Sequence, residues 1–324
     1  MAFVRWFITL GILLASARAH PADKIVADFG GLGGFQSTTW VAKDLKIFDK
    51  YGLDVDLVMI TGGSRSVAAL LSGSTQFATG SATTPLLVSA RGSDIVIIAA
   101  SYNHFPFSIV SRPDIRSPKD LRGKKLGILN FGGSHDLAYQ LAFKEWGLKP
   151  QEVNVIPLGD QPTRLAALLA GNIDATILSL PHLTVAVKAG YRVLGDMGEM
   201  RANFSQSTVY ARRGYLRENR DIARRFLKAY SEAVHVLKTD RKRSLKVLAK
   251  RMRVEDQEIL DTTYDYFARR FSFPPRVNMA GIKDTLDFYA GKNPEVRNRN
   301  PQDFVDQTIL DEFEKEGFFK ALGS

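Results

Sequence analysis

Residues 67–78 read VAALLSGSTQFA, and residues 165–176 read LAALLAGNIDAT. The two segments share the run AALL and a following glycine at an offset of 98 positions (165 − 67). Each predicts a helix that ends at glycine and leads into a short strand. The sequence therefore predicts two similar α/β units in one chain. The crevice between two such units is a common place for a small-molecule site.

The N-terminus has the pattern of a secretory signal peptide. Arg5 supplies a positive charge, residues 6–15 form a short apolar run, and Ala17-Arg18-Ala19 has the small-x-small pattern that signal peptidase reads. We expect cleavage after Ala19, because the run is too short to span a bilayer. An uncleaved anchor is the alternative. No Cys follows this run, which excludes a lipid-anchored bacterial form.

Length and composition limit the classes of protein to which the chain can belong. Cleavage would leave 305 residues (324 − 19), enough for two domains. The chain has no Cys, which excludes disulfides, a thiol nucleophile and a Cys metal site. The net charge of +10 is concentrated in residues 212–253, which hold 15 Lys/Arg and 4 Asp/Glu. Helical spacing of apolar residues in 221–236 favours a solvated basic helix face, and we expect no nucleic-acid partner.

Strands and helices alternate along most of the chain, an order typical of mostly parallel sheets. The very apolar residues 95–100 predict a buried strand, and residues 37–50 predict one amphipathic helix. Residues 106–119 and 203–208 are interpreted as connections between the two units.

Six loops join a predicted strand to the start of a predicted helix. A helix N-terminus carries free backbone N–H groups and the positive end of the helix dipole, and so favours anions. In parallel sheets, ligands bind beyond the carboxyl ends of the strands. We expect one cleft to be lined by the six loops, residues 33–37, 61–65, 80–83, 130–135, 159–163 and 179–182.

Four motifs carry a family resemblance. They are AKDLKIFDKYGLDV at 42–55, ALLSGSTQFA at 69–78, SPKDLRGKKLG at 117–127 and AGNIDA at 170–175. With them, nearly the whole mature chain resembles the periplasmic solute-binding proteins of ABC importers, in the group that handles nitrate, sulfonates, taurine and thiamine precursors.

The resemblance implies an α/β protein with the two-lobed periplasmic-binding-protein fold (type II), mostly parallel sheets and a hinge of two crossovers. After a signal peptide at 1–19, lobe one would take residues 20–101 and 205–324, and lobe two would take residues 102–204. The resemblance also implies a periplasmic monomer that binds one small-molecule ligand, docks on a membrane ABC permease and uses no cofactor.

Ser64-Arg65 and Thr163-Arg164 begin the two copies of the repeated helix. An Arg in the first turn opposes the helix dipole, so two of them favour an anion held through parallel hydrogen bonds. Capping hydroxyls and outward-pointing arginines are the alternatives.

Aromatic and His side chains in the same loops indicate a ligand with an apolar part, with core packing as the alternative. The candidate ligand-binding residues are Gly34, Phe35, Gln36, Ser64, Arg65, Ser81, Thr83, Tyr102, Asn103, Asn130, Phe131, Ser134, His135, Thr163, Arg164, Ser179 and His182.

Other chemistries have weaker support. The glycines at 30–34 imitate a dinucleotide motif, but Gln36 stands in place of its last glycine. The sequence has no Gly-x-Ser-x-Gly elbow and no Walker loop, and its His residues lack the paired spacing of a metal site.

We therefore expect a binding protein that captures a small organic anion, such as a sulfonate, a carboxylate or an aromatic acid, and no enzyme. One alternative is an enzyme on the same fold acting on a pyrimidine or a sulfur compound. By the resemblance, such enzymes depend on Cys residues in the cleft, which this chain lacks. The other alternative is a module that presents its ligand to a membrane kinase.

Overall fold

A computed structural model describes residues 22–200 and 203–323. The predicted signal peptide lies outside the described residues. Within the described ranges, no helix has the length and apolar character needed to cross a membrane.

The described residues form two five-stranded sheets. The strands are β1 (Asp23–Phe29), β2 (Leu53–Met59), β3 (Phe77–Gly80), β4 (Ile95–Ala100), β5 (Ser108–Ser111), β6 (Lys125–Ile128), β7 (Asn154–Pro157), β8 (Ala175–Leu178), β9 (Arg192–Asp196) and β10 (Thr208–Arg212). The helices are α1 (Ser37–Asp44), α2 (Ile47–Lys50), α3 (Gly63–Leu71), α4 (Thr83–Ala90), α5 (Ser134–Trp146), α6 (Gln161–Leu169), α7 (His182–Lys188), α8 (Arg213–Glu218), α9 (Arg220–Thr239), α10 (Arg241–Met252), α11 (Gln257–Ala268), α12 (Met279–Ala290), α13 (Thr308–Lys315) and α14 (Phe318–Leu322).

The two sheets have the same topology. Their strand orders are β2-β1-β3-β10-β4 and β7-β6-β8-β5-β9, and in each sheet the fourth strand runs antiparallel to its two neighbours. That fourth strand arrives from the other half of the chain, because β5 follows β4 and β10 follows β9. We call the unit on the first sheet lobe one and the unit on the second sheet lobe two.

Two local predictions were wrong. The single helix predicted at 37–50 is two helices, because Lys46 adopts a left-handed conformation (φ 57°) that breaks the helix between α1 and α2. The segment 106–119 is not only a connection, since it contains β5, which is buried throughout. Its four residues are too few to show a strand pattern among the surrounding turn residues.

The two connections between the lobes are tied to each other. The Ser101 N–H donates to the Ser207 carbonyl at 2.9 Å, and the Gln206 N–H donates to the Tyr102 carbonyl at 2.8 Å. The Asn103 amide binds the Arg276 carbonyl at 2.8 Å. These bonds anchor both crossovers at the edge of lobe one.

The lobes also contact each other directly. The Gly34 N–H in lobe one donates to the Leu180 carbonyl in lobe two at 3.1 Å. Lys188 Nζ at the end of α7 lies 3.0 Å from Asp256 Oδ2 and 2.8 Å from Glu258 Oε2, at the start of α11. These contacts hold the two lobes close together.

The basic segment is mostly helix α9 and helix α10. The Phe226 ring of α9 stacks on Phe77 of the first sheet with centroids 4.1 Å apart. On the outer side, Arg224 binds Glu316 at 2.6 Å and Arg225 binds Asp221 at 2.7 Å. Much of the positive charge on α9 is therefore balanced within the chain.

Candidate functional site

A cavity of about 100 Å³ lies between the two lobes, at the carboxyl ends of the central strands. Its size suits a small organic molecule. Five of the six predicted loops contribute to its wall, and the loop 179–182 does not. From lobe one, the lining residues are Gly30, Gly31, Leu32, Gly33, Phe35, Gln36, Met59, Ile60, Thr61, Gly62, Gly63, Ser66, Thr79, Gly80, Ser81, Gln206 and Tyr210. From lobe two they are Phe107, Leu129, Ser134, His135, Asp160, Gln161, Pro162 and Arg164.

Several helices begin at the cavity wall. Gly63 is the first residue of α3, Ser134 of α5 and Gln161 of α6. Gly63 packs against Thr84 so closely that a Cβ at Gly63 would lie 2.3 Å from the Thr84 hydroxyl. Because helix N-termini are positive and carry free N–H groups, this arrangement favours a negative group inside the cavity.

Arg164 is the charged side chain on the lobe-two wall with the deepest burial, at 0% exposed. Its guanidinium donates to the carbonyls of Gly159 and Ile177, the latter at 2.9 Å. Its Nε has no hydrogen-bond partner among the described residues, and no carboxylate there forms an ion pair with it. Burial lowers the pKa of Arg164 to about 9, while the nearby Asp160 opposes that shift. A buried cation without an ion-pair partner is costly, so Arg164 favours a negative group in the cavity.

His135, the second residue of α5, lies on the same wall and is buried. Its Nδ1 accepts the Leu129 N–H at 3.2 Å, so in the neutral ring the proton is on Nε2. Burial lowers its pKa well below the usual range, and the Arg164 charge acts in the same direction. The ring packs edge-on against Phe107, with centroids 4.4 Å apart. His135 is therefore a neutral hydrogen-bond donor held by an aromatic neighbour.

The lobe-one wall has a buried acidic network. Asp28 on β1 is 0% exposed and lies behind the wall. The Ser66 hydroxyl of α3 donates to Asp28 Oδ1 at 2.7 Å, and the Thr75 hydroxyl donates to Oδ2 at 3.2 Å. Ser66 Oγ also lies 2.8 Å from the Tyr210 hydroxyl of β10, and both of these side chains line the cavity. Burial raises the pKa of Asp28 to about 6, against the lowering effect of the two hydroxyl bonds.

Glutamine amides complete the polar lining. Gln36 and Gln206 are buried, and their Oε1 atoms have no hydrogen-bond partner among the described residues. Gln161 is instead fixed within lobe two, because its Oε1 accepts the Ser179 N–H at 2.6 Å.

The structure brings nine of the predicted site residues to this region. Six line the cavity itself: Phe35, Gln36, Ser81, Ser134, His135 and Arg164. Three more, Ser64, Arg65 and Asn130, line a second depression that shares Thr61, Gly62 and Leu129 with the cavity. Arg65 is exposed, in contrast to Arg164.

Four predicted residues lie outside the cavity lining, because they pack within the crossovers or the core of lobe one. Tyr102 is 0% exposed, and its ring packs edge-on against Phe267. Asn103 binds the Arg276 carbonyl and the neighbouring crossover. Gly34 is covered by the Phe267 ring, which would lie 2.4 Å from a Cβ there. Thr83 is buried at the start of α4 outside the lining.

The other four lie in lobe two, outside the cavity lining. Thr163 is exposed, and its N–H donates to the capping Asp160. Phe131 is 53% exposed. Ser179 positions Gln161. Burial lowers the pKa of His182 to about 4, with a further contribution from Arg164, and its Nδ1 has no partner among the described residues.

Sequence reasoning missed Asp28, Ser66 and Tyr210. Ser66 had a signal in the repeat, because the offset of 98 pairs it with Arg164 and pairs Arg65 with Thr163. The structure follows this register, with Ser66 and Arg164 buried at the cavity and Arg65 and Thr163 exposed.

Comparisons with known proteins agree with this architecture. The family model described as "NMT1/THI5 like" matches residues 37–243. A protein of Brucella abortus (strain 2308), named only as a binding protein, is 29% identical over 244 residues, which cover 72% of this chain and 74% of that protein.

Two solved structures share the fold. The periplasmic aliphatic sulphonate binding protein SsuA from Escherichia coli superimposes with a TM-score of 0.72 at 20% identity, covering 89% of this chain and 99% of that one. The desulfurization enzyme DSZB superimposes with a TM-score of 0.69 at 15% identity, covering 91% and 99%. The expected two-lobed periplasmic-binding-protein fold is thereby confirmed.

Proposed function

The chain belongs to the NMT1/THI5-like family, and on that premise we propose that it is an extracytoplasmic solute-binding protein. It captures a small organic anion between its two lobes and delivers the anion to a membrane ABC permease. The protein acts as a periplasmic monomer. This proposal extends to the predicted signal peptide, which would direct export.

One observation carries the proposal, namely the buried and unpaired guanidinium of Arg164 at the cavity wall. A carboxylate or sulfonate can accept two parallel hydrogen bonds from such a group. The His135 Nε2–H and the helix N-termini at Gly63, Ser134 and Gln161 add further donors. A negative ligand would therefore find complementary charge and hydrogen bonds in one place.

The size and lining of the cavity support a small ligand with an apolar part. Phe35, Phe107 and Leu129 line it beside the polar groups. The likeness to the sulphonate binding protein favours a sulfonate, with a carboxylate as the related alternative.

The likeness to DSZB leaves an enzyme on this fold as a second candidate. The chain has no Cys, so any covalent chemistry would need a different nucleophile. The cavity supports anion binding better, because the distinctive groups of its lobe-two wall are hydrogen-bond donors and one unpaired cation.

The test compares Arg164→Met with Arg65→Met as the matched control. Binding of alkanesulfonates and short carboxylates to the mature protein is measured by thermal shift and calorimetry. Removing one partner of a buried charged pair costs about 2–5 kcal/mol, so we expect Arg164→Met to weaken binding roughly 30-fold or more. Arg65→Met should change affinity little, because Arg65 is exposed.

Circular dichroism checks that both variants fold, and Arg164→Lys tests whether charge alone is sufficient. Equal affinity of Arg164→Met and the parent protein would contradict the role of Arg164. Failure of the parent protein to bind any anion in the series would contradict the proposed function.

A further inference from the structure

Each lobe has one buried charge at the cavity, with Arg164 on the lobe-two wall and Asp28 behind the lobe-one wall, and the two charges have opposite signs. Arg164 in lobe two and Asp28 in lobe one are both 0% exposed, and neither forms an ion pair with another described residue. The two charges belong to different lobes, and each would be stabilised by a complementary group on the ligand. The proposed anion would satisfy only Arg164.

The hydroxyl groups of Ser66 and Tyr210 connect Asp28 to the cavity. An ionised carboxylate can only accept hydrogen bonds, so the Ser66 hydrogen points at Asp28. Ser66 Oγ must then accept the hydrogen of Tyr210, which lies 2.8 Å away. The Tyr210 oxygen is left with lone pairs and no hydrogen to offer. Both hydroxyls are polarised toward the carboxylate, and this makes the Tyr210 oxygen a stronger hydrogen-bond acceptor.

The cavity leaves room for a ligand beside this oxygen. Gly80 lines the cavity, and a Cβ there would lie 3.3 Å from the Tyr210 hydroxyl. The absence of a side chain at Gly80 keeps the hydroxyl open to a neighbouring group. Gln36 and Gln206, with their unpartnered Oε1 atoms, line the same lobe-one wall.

We propose that the Asp28–Ser66–Tyr210 network selects ligands that carry a hydrogen-bond donor, by accepting a hydrogen bond from that donor. The preferred ligand is then a small anion that also carries a hydroxyl or amino group, with its negative end at Arg164 and its donor at Tyr210 Oη. The inference rests on the proposed function for the anionic end. It assigns specificity to residues of lobe one.

The test uses matched ligands that differ in one group. Calorimetry measures binding of ethanesulfonate, 2-hydroxyethanesulfonate and 2-aminoethanesulfonate, and of propanoate, 3-hydroxypropanoate and 3-aminopropanoate. We expect at least one donor-bearing compound to bind about 10-fold more tightly than its unsubstituted parent, because it donates one additional hydrogen bond to a charged network. The hydroxyl and amino members distinguish a neutral donor from a cationic one.

Variants assign the preference to the network. Tyr210→Phe should remove most of the preference, measured as the ratio of the affinities for the donor-bearing and the unsubstituted compound. Tyr230→Phe is the matched control, because Tyr230 is another buried lobe-one tyrosine, bonded to Ser101 at 2.7 Å outside the cavity. Ser66→Ala, on a helix that tolerates Ala, should also reduce the preference if Tyr210→Phe does not fold.

The outcomes separate the two proposals. If unsubstituted anions bind as tightly as donor-bearing ones and still require Arg164, the network has no role in selection and the proposed function stands. The network is equally ruled out as the selecting element if Tyr210→Phe and Ser66→Ala both fold and keep the full preference. If no anion of either series binds, the proposed function and this inference both fail.

Discussion

Replacement of Asp28 by Asn should stabilise the protein at neutral pH. The Asp28 carboxyl is 0% exposed and has no cation partner among the described residues, and burial raises its pKa from 3.8 to about 6. Asn has nearly the same shape and never ionises. Its amide can still interact with the Ser66 and Thr75 hydroxyls, which act as donors or acceptors.

The direction in which folding stability changes with pH follows from proton binding to Asp28 in the folded and unfolded states. Between about pH 4 and pH 6 the folded protein holds a proton on Asp28 that the unfolded chain has released, so folding stability falls as the pH rises. Above about pH 6 both states are ionised and this contribution is constant. The difference between 3.8 and about 6, at about 1.36 kcal/mol per pKa unit, gives about 3 kcal/mol.

The assay is urea unfolding of the parent protein and Asp28→Asn at several pH values from 4 to 8. Trp40 is buried and packs on Phe29, the neighbour of Asp28, with ring centroids 5.7 Å apart. A Trp146→Phe background leaves Trp40 as the single Trp after the predicted signal peptide, so its fluorescence reports on lobe one.

We expect the two proteins to have similar stability near pH 4 and Asp28→Asn to gain about 3 kcal/mol by pH 7.5. Taking the difference between the two proteins cancels every other titrating group. A difference that is independent of pH, or that favours Asp at pH 7.5, would refute the reasoning.

Two further predictions concern the packing at Gly34 and the ion pairs of Lys188 between the lobes. Gly34→Ala should destabilise the protein by about 1–3 kcal/mol in urea unfolding, because its Cβ would meet the Phe267 ring at 2.4 Å, whereas Gly291→Ala, with open space at its Cβ, should be nearly neutral. Lys188→Ala should speed ligand release in stopped-flow experiments a fewfold at low salt and less at high salt, because exposed ion pairs contribute about 0–1 kcal/mol. Lys283→Ala, which removes an exposed ion pair within α12, should leave the release rate unchanged, and an equal effect of both variants would contradict a bridging role.

Local sequence patterns were sufficient for much of the fold. The buried strand at 95–100 and the repeated helices with their terminal glycines were predicted because each signal lies within about ten residues. The strand at 108–111 was missed because its place in the second sheet depends on partners in β8 and β9, far along the chain. Pairing over such distances leaves little trace in a four-residue segment.

The candidate site was predicted at the level of loops and less well at the level of side chains. Arg65 was paired with Arg164 by residue type, although the repeat offset pairs Ser66 with Arg164. Successive residues of a helix point about 100° apart, so a shift of one position moves a side chain from the cavity to the solvent. Tyr102 was selected for its type and its place after a strand, and the lobe-one core buried it instead.

The sequence by itself determined that the chain has two related α/β units, with helix N-termini gathered where strands end, because these properties follow from local periodicity and capping. Only the tertiary structure decided which side chains meet. It placed Tyr210 of the returning strand beside Ser66 and Asp28, and it buried Arg164 without a carboxylate. Burial and the pairing of charges depend on packing between distant segments, which no single stretch of sequence encodes.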